Sequence, residues 1–246
     1  MSFNNTASPK MVSQPSLYLF PVQLGNAPLE NVLPTYNIKI VSTIKYFIVE
    51  NIRSARRFLK SCNKSIDIDQ LTFFTLNEHT DASAIPSMLT PMTQGHSMGI
   101  ISEAGCPAIA DPGADIVAIA QQRGFNVVPL IGPSSILLSL MASGFNGQSF
   151  AFNGYLPIDQ AARTAKLKEM ERRIRKERQS QIFIETPYRN NKLIEELSRS
   201  LPGDMLLCVA SDITGENESI LTRKLSQWNK MSYNYNKIPT IFLLFS

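Results

Sequence analysis

The chain has 246 residues, 43% hydrophobic and 18% charged, with 12 glycines and 15 prolines. That composition builds a buried core and excludes a disordered or low-complexity protein. The net charge of +4 permits an anionic partner such as nucleic acid without demanding one. The best candidate span, Ile238 to Phe245, falls far short of the ~18–20 apolar residues of a membrane helix, so no membrane partner is expected. The polar start lacks the apolar stretch of a signal peptide. Cys62, Cys106 and Cys208 form no CxxC pair, so neither a disulfide framework nor a zinc ribbon is expected, and a reducing cytoplasm fits best.

Residues 1–15 read as a frayed tail rich in Ser, Asn and Pro. A short apolar strand follows from Ser16 to Val22, then a turn at Leu24-Gly25-Asn26. Lys39 to Val49, rich in Ile and Val, reads as the second strand, Ser54 to Ser61 as a basic helix and Leu71 to Leu76 as a third strand. Ser83 to Thr93 is expected to be a helix with Pro86 near its start. Met98 to Ser102 is continuously apolar, as in a parallel strand covered on both faces. Ala114 to Arg123 reads as a helix stopped by Gly124. Val127 to Leu130 is a strand, and Pro133-Ser134-Ser135 opens a helix to about Ser143.

The rhythm changes at Phe150. Phe150 to Leu156 is a strand, followed by a long helix. Between Lys166 and Arg178 that helix carries seven basic residues against Glu169, Glu171 and Glu177. Leu167, Met170 and Ile174 recur at helical spacing, so this is read as an amphipathic surface helix rather than an RNA-binding stripe. Strands at Gln181–Glu185, Leu206–Ala210, Ile220–Thr222 and Ile238–Phe245 alternate with helices at Asn190–Leu201 and Leu225–Lys230. The fold class is α/β with two lobes: 16–147 with a mostly parallel sheet and 148–246 with a mixed one.

In open α/β sheets ligands sit beyond the carboxyl ends of strands. Three loops there carry small, backbone-exposing residues: Leu24-Gly25-Asn26, Ser102 to Gly113, and Ile131 to Ser135. Glycine permits close backbone approach, and a helix opened by Pro-Ser-Ser presents free N–H donors. No GxGxxG follows the first strand and no GK[ST] or GxSxG occurs. His79 and His96 lack a paired ligand, and no metal site is expected.

The runs SEAGCPAIADPGADIV, VVPLIGPSSILLSLMASGF and FAFNGYLP resemble the tetrapyrrole methylase family of S-adenosylmethionine-dependent methyltransferases. Within it they are most similar to the branch that 2′-O-methylates a cytidine of small-subunit ribosomal RNA. FPVQLGN, IFIETPYR and KIPTIFLLFS extend the match over the whole ordered chain. The resemblance implies two α/β lobes with the cofactor S-adenosylmethionine held in a cleft between them, small-subunit ribosomal RNA as partner, and a homodimer. Its cofactor-binding positions fall on Gly25, Ser102, Gly105, Ile109, Pro133, Ser134 and Ser135, with Thr186, Ala210, Pro239 and Thr240 from the second lobe.

A ribose hydroxyl attacks well only when a base takes its proton. Glu50, Glu103 and Glu185 each stand just past a strand end. Glu185 is preferred, because the matching family position also carries Glu. Arg53 and Arg189 would hold phosphate or a neighbouring carboxylate. The chain departs from the branch's E-D-T-R-H at Asn51, Ile52 and Ser54. It also departs from A-R-E-L-T-K at Ser211 and Gly215, and carries Asp159 for a Lys after GYLP. These losses fall on the substrate side. They leave open a protein of this fold that binds S-adenosylmethionine for another acceptor, or with little turnover.

Overall fold

The computed structural model describes residues 14–246; most of the expected tail, 1–13, lies outside them. In chain order the elements are β1 (Ser16–Phe20), α1 (Leu29–Val32), α2 (Thr35–Val41), β2 (Tyr46–Val49), α3 (Ile52–Cys62), β3 (Thr72–Thr75), α4 (Thr90–Thr93), β4 (Met98–Ile101), α5 (Gly113–Gln122) and β5 (Asn126–Pro129). They continue with α6 (Ser135–Ser143), β6 (Phe150–Tyr155), α7 (Gln160–Glu177), β7 (Ser180–Ile184), α8 (Asn190–Ser200), β8 (Leu206–Ser211), β9 (Ser219–Lys224), α9 (Leu225–Trp228) and β10 (Thr240–Phe245).

Two expectations are corrected. Lys39–Val49 is not one strand: Lys39, Ile40 and Val41 close α2, whose buried Asn37 and Val41 lie four residues apart on one helical face, and only Tyr46–Val49 are extended. Burial of that face overrides the strand preference of Ile and Val. Residues 83–93 are not one helix either, but a 3-10 turn at Ile85–Leu89 followed by α4. Pro91 has no N–H and would clash with the carbonyl a turn earlier, so the chain restarts with Pro91 in the first turn of α4.

Two compact units emerge. Of the described residues, the first holds 14–20, Tyr36–Glu103 and Pro107–Leu130; the second holds Pro21–Thr35, Ala104–Cys106 and Ile131–Ser246. In the first, the five strands are ordered β3-β2-β4-β1-β5, and every pairing is parallel. Leu17, Ile48, Met98 and Ile100 of that sheet pack with Leu89, Met92 and the α5 residues Ile116 and Ala120. These side chains are at most 3% exposed, which places them among the most stabilising burials of the unit.

The sheet of the second unit is mixed. Its order is β6-β7-β10-β8-β9, with β6 parallel to β7 and the other pairings antiparallel. β10 is central, and its run Ile-Phe-Leu-Leu is buried on both faces. Phe242 and Leu244 turn to a core with Leu167, Met170 and Ile174 of α7, the residues that the helical spacing singles out. Ile241 and Leu243 turn the other way, to Leu140 of α6. Period-two alternation along one strand thus serves two cores. Trp228, wholly buried at the end of α9, donates its indole N–H to the Leu207 carbonyl at 3.1 Å.

Candidate functional site

On the α6 side of the second unit's sheet, Ile241 pairs with Ile184 of β7 and with Ala210 of β8, making an apolar row across three strands. This row is the floor of a cavity of about 310 Å³. Glu185 and Pro187 continue from β7 at its rim, Pro239 and Thr240 lead into β10, and Tyr155 stands at the end of β6. Ser135, Leu24 and Ala104 complete the lining with Ile213.

The start of α6 is set by its sequence. Ser134 takes extended backbone (φ −128°, ψ 119°) and its hydroxyl accepts the Leu137 N–H at 3.5 Å, so the first helical residue, Ser135, reaches the cavity. Gly132 allows the preceding turn to lie against Pro21: a Cβ there would come within 2.2 Å of the proline ring. The segment Ala104–Cys106 is tied to the same place. Gly105, in the left-handed region at φ +70°, exchanges two backbone hydrogen bonds with Val22, at 2.9 and 3.0 Å. The Cys106 thiol donates to the Pro133 carbonyl at 3.4 Å, and burial pushes that thiol above its ordinary pKa, keeping it a donor.

Among the described residues, Glu185 is the one charged group lining the cavity. It is 9% exposed, and its Oε2 lies 3.2 Å from the Arg163 guanidinium and 3.9 Å from that of Arg189. Its Oε1 accepts the Thr186 N–H at 2.8 Å. Arg163, itself 3% exposed, also pairs with Glu196 at 2.9 Å. The carboxylate is therefore fixed from three directions.

Of the residues named from sequence, Ser135, Glu185, Ala210, Pro239 and Thr240 line this one cavity. Gly105, Pro133, Ser134 and Thr186 belong to the segments that build it. Gly25 lies in the same unit, where a Cβ would touch Asp212 and Gly215 at 3.4 Å. Glu50, Arg53, Ser102 and Ile109 belong to the first unit. Sequence reasoning placed Leu24 and Ala104 within candidate loops without singling them out, and missed Tyr155, Ile184, Pro187, Ile213 and Ile241. The strand residues among them were within reach of a register argument, since Ile184, Ile241 and Ala210 share a face.

In the first unit Glu50, Ser102 and Asp111 border a cleft of only about 10 Å³, room for about one water. Burial, then the neighbouring Asp111 and Glu103, raise the Glu50 carboxyl above its ordinary range. Ile109 is 52% exposed between Ala108 and Ala110, both in the left-handed region at φ 64° and 60°. Asp111 holds that loop by accepting the Ala108 and Gly113 N–H groups, each at 2.8 Å. Arg53 is exposed on α3.

A carboxyl whose folded pKa is raised adds stability at low pH that is lost as the pH rises through the raised value. Glu50→Gln removes the charge that burial and two acidic neighbours oppose. The variant is expected to melt above the parent at pH 7, with the difference shrinking towards pH 4; an equal or lower melting temperature at pH 7 would contradict this.

The two sheets, one all-parallel and one mixed, make up a fold shared with solved methyltransferases. The solved methyltransferase CobJ matches over 95% of both chains with a TM-score of 0.61 at 14% identity, a likeness of fold. No family model matches the chain. Two curated relatives are each named "Ribosomal RNA small subunit methyltransferase I". The protein of Vibrio cholerae is 30% identical over 213 residues, 87% of this chain and 70% of its own length. That of Pasteurella multocida is 31% identical over 175 residues, 70% of this chain and 61% of its own length, so less than two thirds of that protein is spanned. The chain belongs to the family of ribosomal RNA small subunit methyltransferase I.

Proposed function

We propose that this chain transfers a methyl group from S-adenosylmethionine to a ribose 2′-hydroxyl of small-subunit ribosomal RNA. The observation that carries this reading is the cavity on the β7-β10-β8 row, found in a chain 30% identical to the Vibrio cholerae protein of that name over 87% of its length. At about 310 Å³ the cavity lies at the low end of the ~300–1,000 Å³ of small-molecule sites. Its donor set fits the cofactor. Leu24, Ile184, Ala210, Ile213 and Ile241 offer apolar walls for an adenine ring, and Ser135 and Thr240 offer polar partners for ribose and amino-acid groups.

When bound, S-adenosylmethionine supplies an electrophilic methyl group on a sulfonium. The protein's share is to orient the acceptor and exclude water, and such positioning lowers the barrier to an in-line attack. Glu185 is our choice for the base that receives the hydroxyl proton, with Arg163 and the Thr186 N–H fixing its carboxylate. Glu50 and Arg53 are kept as further candidates on the acceptor side. The cofactor positions Gly25, Ser102, Gly105, Ile109, Pro133, Ser134 and Thr186 belong to the same reading, as do a cytoplasmic location and a homodimer.

The test is transfer of labelled methyl from S-adenosylmethionine to purified small-subunit ribosomal RNA, followed by mapping of 2′-O-methylated positions. Label at a single ribose is expected, falling at least 100-fold in Glu185→Gln. Full turnover of that variant would remove Glu185 from the base role. Cofactor binding without any RNA label would favour the second reading, supported by the altered Asn51, Ile52, Ser54, Ser211 and Gly215: a binder of the same cofactor with another acceptor.

A further inference from the structure

The most basic stretch of the sequence is not the most available one. On α7, Lys166 and Arg173 both pair with Glu169, at 3.3 and 2.6 Å. Arg175 pairs with Glu171 and Asp204, at 3.0 and 3.4 Å, and Arg172 with Glu177 at 3.4 Å. Arg178 lies over the Phe245 ring, 4.6 Å from its centre. The acids that interleave this run satisfy most of its cations.

α3 is built the other way. It carries Arg53, Arg56, Arg57 and Lys60 and no acidic residue. At 3.6 residues per turn, 53, 57 and 60 fall in one line with 56 beside them, opposite the buried Ala55, Phe58 and Leu59. Lys64 follows the helix, and its carbonyl accepts the Lys60 ammonium at 3.1 Å. All five cations are exposed. Among the described residues none of them is in an ion pair. Arg56 rests 5.7 Å from the centre of the Phe73 ring. At the two ends of α3 stand Glu50 before the Asn51 cap, Glu103, which accepts the Ser54 hydroxyl in the first turn, and Asp67 and Asp69 beyond Lys64.

We propose that this stripe of α3 binds the phosphate backbone of RNA. The inference rests on the reading that the acceptor is RNA, and it names the surface that meets it. Holding four cations on one side of a helix about 16 Å long, with Lys64 just beyond its end, is repulsive in isolation and favourable against a polyanion. Guanidinium groups fit phosphate oxygens two at a time, and three of the five are arginines.

The salt dependence of affinity for purified small-subunit ribosomal RNA reads the number of phosphate contacts, at about 0.7 per contact for single strands. The triple variant Arg57→Gln, Lys60→Gln, Lys64→Gln is expected to lower the slope of log K against log salt by about 2, and affinity by roughly 50-fold at 0.15 M salt. A triple variant of equal charge loss on α7 (Arg172→Gln, Arg173→Gln, Arg175→Gln) is expected to leave the slope unchanged. Should the α3 triple variant fold poorly, Lys60→Gln alone is expected to lower the slope by about 0.7. An unchanged slope in the α3 variants, or an equal fall in the α7 variant, would overturn the proposal. So would loss of binding to phosphatidylserine vesicles with RNA affinity intact, which would assign the stripe to a lipid surface. If the parent protein binds no RNA, the acceptor reading falls with it, while calorimetry with S-adenosylhomocysteine reads the cavity separately.

Discussion

Replacing Arg163 with alanine is expected to destabilise the second unit by about 3–5 kcal/mol, the usual cost of stripping one member from a buried ion pair. Arg163 is 3% exposed and bridges Glu185 at 3.2 Å and Glu196 at 2.9 Å. Their side chains are 7% and 19% exposed, so neither carboxylate recovers full hydration when the guanidinium leaves. The pair need not add net stability as it stands, because taking the ions out of water offsets much of their attraction. What is expensive is half of it. Urea unfolding of the parent and of Arg163→Ala measures the difference directly, and a loss below about 1 kcal/mol would show that water reaches the pair freely. The triple change Arg163→Met, Glu185→Gln, Glu196→Gln should recover much of the loss while abolishing methyl transfer, separating stability from function.

Ser135→Trp is expected to weaken S-adenosylhomocysteine binding at least 100-fold in calorimetry. Ser135 is the first residue of α6 and lines the cavity, whose capacity is about 310 Å³. An indole placed there occupies space that the ligand needs. The Ser134 cap that starts the helix is left in place, so the melting temperature should move little. Unchanged affinity would place the cofactor elsewhere on the chain.

Most of the fold was legible because the pattern of apolar residues has few readings. Met98–Ile101, apolar throughout, had to be a strand covered on both faces, and it is the centre of the parallel sheet. Gly124, in the left-handed region at φ +71°, ended its helix as expected. Lys39–Val41 misled because β-branched residues there serve a helix whose buried face decides its conformation. In the site, the residues with a chemical signature could be named in advance: Ser135 from its Pro-Ser-Ser setting, and Glu185, Ala210 and Thr240 from a family resemblance. The lining residues Leu24 and Ala104 could be placed only within candidate loops, not named one by one. Their place depends on backbone pairing between Val22 and Gly105, segments some eighty residues apart, and no local pattern announces that.

This long-range pairing bears on how such a pocket can be inherited or engineered. A fragment beginning at Ile131 would carry all five strands of the mixed sheet, yet lack Leu24 and Ala104. No cassette shorter than the span from Leu24 to Ile241 delivers the complete cavity, so recombination between relatives must exchange nearly the whole chain, or three separate stretches together, to move it intact.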